Sequence, residues 1–274
     1  MRLFAALLLL VPGATALAHP SVSVVIDSHG AVYYSDLHDV WRISPDGTRS
    51  IVVPNVHSHE LVLDSVDNLY GEHLWYEGET INKWDYYVWR RSPDGRVQTI
   101  YGPKREFRTD YSFVRDAAGN HYWAERGART TIRQRTPDGV ERGIATGPFT
   151  DIRWMAARPD GTIFLIDDGR LVRIGSDGAT REIVHDLTAR SLSRALVERR
   201  HSVLGLYPDE RGNVYVAVYG AGKVVRVDEG GHVATVATST MPWSPSGVAV
   251  RNGTLYVLEF SVDNRARLRT LPLR

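Results

Sequence analysis

Gly212-Asn213-Val214-Tyr215 is one copy of a short pattern that recurs six times along this chain of 274 residues. In each copy, a turn containing Gly or Asn precedes a strand-like run with an aromatic or β-branched residue. The copies follow one another at intervals of about 37 to 52 residues. The other five are Gly30-Ala31-Val32-Tyr33, Asp67-Asn68-Leu69-Tyr70, Gly119-Asn120-His121-Tyr122, Gly161-Thr162-Ile163-Phe164 and Gly253-Thr254-Leu255-Tyr256. Because each small sheet has an apolar face that only a neighbour can cover, the pattern predicts a closed ring.

A second repeat lies out of phase with the first and marks hairpins between outer strands. Proline presets φ at the first central turn position, Asp favours the second, and Gly adopts the left-handed conformation that closes the hairpin. The copies are Ser44-Pro45-Asp46-Gly47, Ser92-Pro93-Asp94-Gly95, Thr136-Pro137-Asp138-Gly139, Gly175-Ser176-Asp177-Gly178 and Asp228-Glu229-Gly230-Gly231. The two repeats together predict an all-β, six-bladed β-propeller over residues 19–274, with four-stranded antiparallel blades.

Near-continuous apolar runs predict the innermost strands, because strands beside the channel are buried on both faces. These runs are Val22 to Ile26, Leu61 to Leu63, Ser112 to Val114, Trp154 to Ala157, Val203 to Leu206 and Gly247 to Val250. Little chain follows Ala266 to Thr270, the predicted third strand of the last blade. Two closures therefore remain open: a three-stranded last blade, or a last blade that residues near Pro20 complete.

Two insertions account for the longer intervals between repeats. In blade two, Trp75 to Trp84 is predicted to form an extended loop, and Pro103 to Asp110 lengthens the crossing to blade three. Between blades four and five, the spacing of apolar residues in Asp186 to Arg200 predicts a short amphipathic helix with Asp186 as its cap. This connection lies at the end of the ring where propeller loops are free to vary and to bind ligands.

The first residues have the features of a secretory signal peptide, predicted over residues 1–18. Arg2 supplies the positive start, Leu3 to Val11 the apolar run, and Ala16-Leu17-Ala18 the cleavage site. The apolar run is shorter than the ~20 residues that span a bilayer, so no membrane span is expected. The chain has no cysteine, which excludes disulfides and thiol chemistry. We therefore expect a periplasmic or secreted protein.

The charge balance argues against a nucleic-acid partner. The chain has 33 basic and 32 acidic residues, with no basic run and no interleaved aromatic platform. No nucleic-acid partner is therefore expected, and a monomer is the expected oligomeric state.

The repeat unit resembles that of NHL-type propellers and of the gluconolactonase-like group. The similarity is strongest in Leu204-Gly205-Leu206, Gly212-Asn213-Val214-Tyr215-Val216-Ala217 and Gly222-Lys223-Val224-Val225-Arg226-Val227. The gluconolactonase-like resemblance implies a divalent cation at the channel mouth, held by a Glu, an Asn and an Asp that precede inner strands. The matching positions here are Ser21 or Val22, His59, Asp110 or Tyr111, Ile152, Ser202 and Ser246. Among them Asp110 alone is of a matching type, so this sequence departs from the implied ligand set.

A different set of polar residues precedes the inner strands. His57 and His59 alternate in His57-Ser58-His59-Glu60, so their side chains are expected to share a face. Imidazoles and carboxylates are ligands for transition metals, which makes a divalent ion, Zn or Ca, the candidate cofactor. The candidate metal ligands are His57, His59, Glu60, Asp110, Asp151 and His201. The alternative interpretation is that these are solvated loop residues.

Candidate ligand-contacting residues are Arg200, Trp154 and Trp243. The aromatic residues between Trp75 and Trp89 are expected to fill the interface between blades or, alternatively, to form a stacking surface. His73 is expected to be a cross-strand packing partner, and Glu72 to keep this region soluble.

Two functional hypotheses follow. The first is an exported propeller that binds a small molecule, glycan or protein at its loop-rich central face. The alternative is a divalent-metal-dependent hydrolase of lactonase or esterase type, in which the ion polarises a carbonyl and lowers the pKa of bound water. A purely structural protein is the third possibility.

Overall fold

The chain folds as a six-bladed β-propeller, as the repeats predict. The computed structural model describes residues 20–78, 83–105, 114–188 and 201–273. In these ranges six separate antiparallel sheets follow one another along the chain, four of them with four strands and two with three. Strands are paired in sequence order in every sheet, so each blade is a simple meander from the channel outward.

Blades one and three have short strands, and blade two has longer ones. Blade one contains β1 (Val24–Ile26), β2 (Val32–Ser35), β3 (Val40–Ile43) and β4 (Arg49–Val53). Blade two contains β5 (Leu61–Leu63), β6 (Leu69–Tyr76), β7 (Trp84–Arg91) and β8 (Val97–Arg105). Blade three contains β9 (His121–Glu125), β10 (Thr131–Arg135) and β11 (Glu141–Thr146).

The remaining blades repeat the same order. Blade four contains β12 (Ile152–Ala157), β13 (Ile163–Asp167), β14 (Arg170–Ile174) and β15 (Thr180–Val184). Blade five contains β16 (Leu206–Pro208), β17 (Val214–Val218), β18 (Lys223–Val227) and β19 (Val233–Thr238). Blade six contains β20 (Trp243–Arg251), β21 (Thr254–Ser261) and β22 (Ala266–Pro272).

Both sequence repeats form the turns that were predicted from them. In the outer hairpin of blade one, Gly47 has φ +85° and its N–H donates to the Ser44 carbonyl at 2.8 Å. In the inner hairpin of blade five, Gly212 has φ +86°. Side chains other than Gly rarely adopt this conformation, which explains the recurrence of Gly at these turns.

The core consists of apolar layers between adjacent blades. All five residues of β17 are buried, and Val216 and Val225 pack with Phe164 and Ile166 of blade four. A strand that is covered on both faces is uniformly apolar, and β17 (Val-Tyr-Val-Ala-Val) has this composition. Burial between blades therefore stabilises the ring.

The ring closes by packing between blades one and six. Val24 packs with Leu258 and Phe260, and the Arg251 guanidinium donates to the carbonyls of Asp27 and Ser28. In the described residues, blade six has three strands, and residues 20–23 are not part of any strand. The described residues thus show a three-stranded last blade, and the residues before Pro20, which belong to the alternative closure, lie outside the described ranges.

Backbone segments at or just before the inner strands of three blades approach one another closely at Gly205. Its N–H donates to the Ser246 carbonyl at 2.9 Å. A Cβ at this position would lie less than 3.0 Å from the carbonyl oxygens of both Val22 and Ser246. Gly is therefore required for this contact between blades one, five and six.

Two sequence predictions in this region need correction. Trp75 to Trp84 does not form a loop throughout, because the cross-strand pairs Trp75–Asp85 and Tyr76–Trp84 continue the β6–β7 ladder to these residues. The inner strand of blade five was predicted at Val203 to Leu206 but is Leu206–Pro208. Leu204 and Gly205 still bond to Ala217 through their backbones, so the ladder is irregular there.

Some predictions fall wholly or partly on residues outside the described ranges. They are the signal peptide at 1–18, residues 79–82 of the predicted blade-two loop, residues 106–110 of the predicted crossing to blade three, residues 112–113 of the blade-three inner strand, and residues 189–200 of the predicted helix. Of that helix, the described start has Asp186 Oδ1 accepting the Thr188 N–H at 2.7 Å. Within the described ranges, no helix has the length and hydrophobicity needed to cross a bilayer.

Candidate functional site

The segment that leads from blade one into β5 carries two histidines in a fixed conformation. Its backbone is held along β6, because the Leu74 N–H donates to the His57 carbonyl at 3.1 Å. Ser58 is fully buried, and its hydroxyl donates to the Glu72 carbonyl. The Val22 N–H donates to the His59 carbonyl at 2.8 Å, which ties the segment to blade one.

His57 and His59 form a close pair, as the alternation in the sequence predicted. Their Nε2 atoms lie 3.3 Å apart, and their rings meet edge to face at a centroid distance of 4.7 Å. His59 is buried, with 6% of its surface exposed, and His57 is half-buried. The ring nitrogens of the two side chains therefore point toward one another at the end of the inner strand of blade two.

Glu72 supports this pair from the second strand of the same blade. It is completely buried, and its Oε1 accepts the backbone N–H groups of His59 at 2.7 Å and Glu60 at 3.3 Å. The same oxygen lies 3.7 Å from Nδ1 of His59. The expectation that Glu72 keeps a loop soluble is therefore wrong, because its carboxylate binds the start of the inner strand in the interior.

Blade four uses the same arrangement with a different side chain beside the carboxylate. The carboxylate of Asp167, also fully buried, accepts the backbone N–H groups of Thr150 at 2.8 Å and Asp151 at 2.6 Å. The Arg170 guanidinium pairs with Asp167. A carboxylate on a second strand thus fixes the start of an inner strand in both blades, and in blade two the ring nitrogen near that carboxylate belongs to His59.

His73 completes the polar surroundings of the pair. Its Nδ1 accepts the His57 backbone N–H at 3.0 Å, so this nitrogen carries no proton. Its ring stacks on Trp75 at 5.6 Å and contacts Tyr87, its cross-strand partner, at 5.1 Å. The prediction of a cross-strand packing role for His73 is confirmed, and the bond to His57 was not predicted.

The surroundings favour the neutral form of His57 and His73. Burial, together with the neighbouring His59 and His73 and against the opposite effect of Glu72, lowers the pKa of His57 to about 4. Burial also lowers the pKa of His73. At neutral pH the His57 ring therefore has a lone pair that can bind a cation.

The other predicted metal ligands have different surroundings. Asp151 pairs with Arg153 at 2.7 Å and lies 3.7 Å from Arg126, so its charge is balanced locally. Glu60 is partly buried beside the histidine pair, and His201 is partly buried just before the inner strand of blade five. Asp110 lies outside the described residues. In the described part of the chain, no group of three or more His, Asp or Glu side chains is arranged to hold a metal ion.

The predicted ligand-contacting aromatic residues lie in two places. Trp154 is half-buried and packs against the apolar layer between blades four and five. Trp243 begins β20 and lies under the Arg267 guanidinium, 4.1 Å from its ring centroid. Arg200, the third predicted contact, lies outside the described residues.

The aromatic residues of blade two divide between the core and the surface. Trp89 and Tyr86 are each 1% exposed. Trp89 packs in the layer between blades one and two, and Tyr86 packs with Leu74 and Val88 of its own blade. Tyr76 and Trp84 remain exposed at the end of the hairpin, with ring centroids 5.4 Å apart. The inner part of this cluster is core, and its tip is an aromatic surface next to the end of the ring that carries the histidines.

The comparison with solved structures finds the same fold in several known proteins. No protein-family model matches the chain, and no curated protein matches it significantly in sequence. A gluconolactonase from Xanthomonas campestris superimposes with a TM-score of 0.58 at 15% identity, over 94% of this chain and 87% of that one. Virginiamycin B lyase from Staphylococcus aureus has a TM-score of 0.54 at 15% identity, over 93% of this chain and 85% of that one.

A third similar structure is a calcium-binding protein. Regucalcin from Agrobacterium tumefaciens has a TM-score of 0.55 at 14% identity, over 87% of this chain and 81% of that one. Similarity at this level of identity shows a shared fold. The chain is therefore a six-bladed propeller similar in fold to the gluconolactonase-like proteins, as the sequence resemblance predicted.

Proposed function

We propose that this protein is an exported propeller that binds a small molecule where His57 and His59 lie, with a divalent transition-metal ion as part of the site. The observation that carries the proposal is the 3.3 Å separation of the two Nε2 atoms. Two nitrogens that each bind one tetrahedral ion at ~2.0–2.1 Å are about 3.3 Å apart. The pair thus has the spacing of two ligands on a single ion.

The type of ligand favours a transition metal over calcium. Calcium takes 6–8 oxygen ligands, whereas imidazole nitrogen suits Zn, Cu, Fe and Ni. Before the inner strands, the described positions that match the gluconolactonase-like ligands hold Ser21, His59, Ile152, Ser202 and Ser246. This set lacks the carboxylates of a calcium site, and His57 adds a second nitrogen donor. Glu72 would orient the ring of His59, as carboxylates do behind metal-binding histidines.

Two protein ligands leave coordination positions for a bound molecule. The exposed Tyr76 and Trp84 rings adjoin this end of the ring and offer flat apolar surfaces to a ligand. We therefore expect a ligand with a metal-binding oxygen or nitrogen and a ring that stacks. Export is part of the proposal because of the charged start, apolar run and Ala16-Leu17-Ala18 at the beginning of the chain.

Metal titration of untagged protein tests this proposal. Calorimetry with Zn²⁺, Cu²⁺, Ni²⁺ and Ca²⁺ is expected to give one site for a transition metal that His57→Ala weakens by about tenfold or more. His185→Ala is the matched control, since the His185 side chain is 87% exposed. Tight binding of Ca²⁺ alone, or unchanged transition-metal binding in His57→Ala, would contradict the proposal.

The second candidate function is hydrolysis of a lactone or ester, which the similarity to a gluconolactonase favours. A bound divalent ion supplies Lewis acidity for a carbonyl oxygen. Because burial lowers the pKa of His57 to about 4, its imidazole is neutral at neutral pH and its nitrogen lone pair can hold such an ion. A screen of lactones and esters with and without chelator separates the two candidates: metal-dependent turnover supports hydrolysis, and ligand binding without turnover supports a binding protein.

A further inference from the structure

A second site lies at the other end of the ring. A cleft of about 350 Å³ opens between blades one and two, lined by residues that include Asp27, Arg42, Asp67 and Arg91. Asp27 and Asp67 belong to the turns between first and second strands, which lie at the end of each blade opposite to the connection that carries His57. The cleft is therefore separate from the site proposed above.

The carboxylates of the cleft are already occupied by protein donors. Asp27 is 6% exposed and accepts the N–H groups of His29 at 3.0 Å and Ala31 at 2.8 Å, and the Tyr33 hydroxyl at 3.0 Å. Asp67 accepts the backbone N–H of Ser28 at 2.9 Å and its hydroxyl at 2.5 Å. These acidic groups stabilise the two turns and leave little capacity for a bound cation.

The guanidinium groups of Arg42 and Arg91, by contrast, still have unused N–H donors. Each has five N–H donors. Arg42 donates through Nε to the Tyr33 hydroxyl at 3.2 Å and through Nη1 to Ser44. Arg91 donates through Nη1 to the Ser92 carbonyl at 3.4 Å, and its Nε is buried without a hydrogen-bond acceptor. Over the described residues, neither guanidinium has a carboxylate oxygen within the 4.0 Å of an ion pair.

We propose that this cleft binds a small organic anion whose phosphate or carboxylate group is held by Arg42 and Arg91. The unused hydrogen-bonding groups of the cleft are N–H donors. They belong to two guanidinium groups, which are positively charged. Arginine presents its donors in a planar fork that matches phosphate and carboxylate oxygens. The volume lies at the lower end of the ~300–1,000 Å³ of small-molecule sites, which favours an organic anion over an inorganic ion.

Calorimetry with three probes tests this second site: inorganic phosphate, glycerol 3-phosphate and succinate. We expect at least one organic probe to bind at one site, with glycerol 3-phosphate preferred if the anion is a phosphate and succinate if it is a carboxylate. Arg91→Gln is expected to weaken binding by about tenfold or more, and Arg91→Lys by less, since lysine keeps the charge without the fork.

Two controls make the result decisive. Arg96 is exposed on the same hairpin and does not line the cleft, so Arg96→Gln is expected to leave the affinity within about twofold of the parent. His57→Ala is expected to have no effect. Absence of binding by all three probes at millimolar concentration would overturn the proposal, as would equal losses in Arg96→Gln and Arg91→Gln. Loss of anion binding in His57→Ala would place the anion at the opposite end of the ring, and this result would also overturn the proposal. Denaturant unfolding of each variant confirms that it is folded.

Discussion

The Nε2 atoms of His57 and His59 lie 3.3 Å apart, and the Oε1 atom of Glu72 lies 3.7 Å from the other ring nitrogen of His59. The three side chains thus form a line from the interior of blade two to the end of its inner strand. The backbone N–H of His59 donates to the same carboxylate oxygen, and burial of the side chain leaves the imidazole little freedom to move. This rigidity is what a preorganised ligand site requires.

Replacement of Glu72 by Gln is expected to weaken metal binding by about tenfold, because a neutral amide orients the ring of His59 less strongly than a carboxylate. Asp167→Asn is the matched control, since Asp167 fixes the start of an inner strand in the same way in blade four. Both variants should lower the denaturation midpoint. Only Glu72→Gln should alter the metal affinity, and an equal effect of Asp167→Asn would show that the loss is a general consequence of destabilisation.

Gly205→Ala tests the close approach of three backbone segments from blades one, five and six. The added Cβ would collide with the carbonyl oxygens of Val22 and Ser246, which belong to rigid backbone, so we expect destabilisation by about 3 kcal/mol or more. Gly47→Ala is the comparison, because its Cβ would meet nothing within 4 Å and only the positive φ is unfavourable. That variant should lose about 1 kcal/mol. Urea unfolding measures both, and equal losses would argue against the packing described at Gly205.

Arg251→Gln tests how the ring closes. Its guanidinium joins blade six to the carbonyls of Asp27 and Ser28 in blade one, and loss of these charged donors should cost about 1–3 kcal/mol. Arg211, exposed on a turn of blade five, provides the control variant Arg211→Gln. Thermal unfolding of the two variants gives the comparison. If the ring closure depends on other contacts instead, Arg251→Gln will be as stable as Arg211→Gln.

The pH dependence of stability is expected to contain a contribution from His121. Its Nε2 accepts the Arg115 Nε–H at 2.9 Å, and burial, with Arg115 and Arg135, lowers its pKa to about 4. In the unfolded chain the pKa is about 6.5, so the unfolded state binds the proton first as the pH falls. The contribution of His121 to the free energy of unfolding is therefore complete above pH 6.5, and it declines as the pH falls toward 4.

His121→Gln keeps an acceptor for Arg115 and removes the titration. Its unfolding free energy, measured by urea denaturation between pH 7 and pH 4, should therefore fall less steeply than that of the parent protein. Parallel pH profiles for the two proteins would show that His121 does not contribute to this dependence.

The fold could be predicted from the sequence because its turns require particular residues. Gly47 and Gly212 both have positive φ, and each repeat places a Gly where such a turn must form. The alternation of His57 and His59 likewise predicted that the two rings share a face, because side chains of an extended segment alternate.

The role of Glu72 could not be predicted in the same way. Its position on β6 gives no local signal, because burial of its carboxylate depends on the His59 and Glu60 N–H groups that tertiary structure brings to it. The ends of the β6–β7 hairpin were missed for a related reason, since the aromatic residues Trp75 and Trp84 suit a loop as well as a strand. The cleft between Arg42 and Arg91 joins residues of two blades, which no repeat within one blade could reveal.

Anomalous diffraction from crystals grown with Zn²⁺ tests the metal site most directly. The account predicts a peak at the zinc absorption edge that lies ~2.0–2.1 Å from the Nε2 atoms of both His57 and His59. The contrary result would be no peak between the two rings, or a peak held only by carboxylates in another part of the molecule.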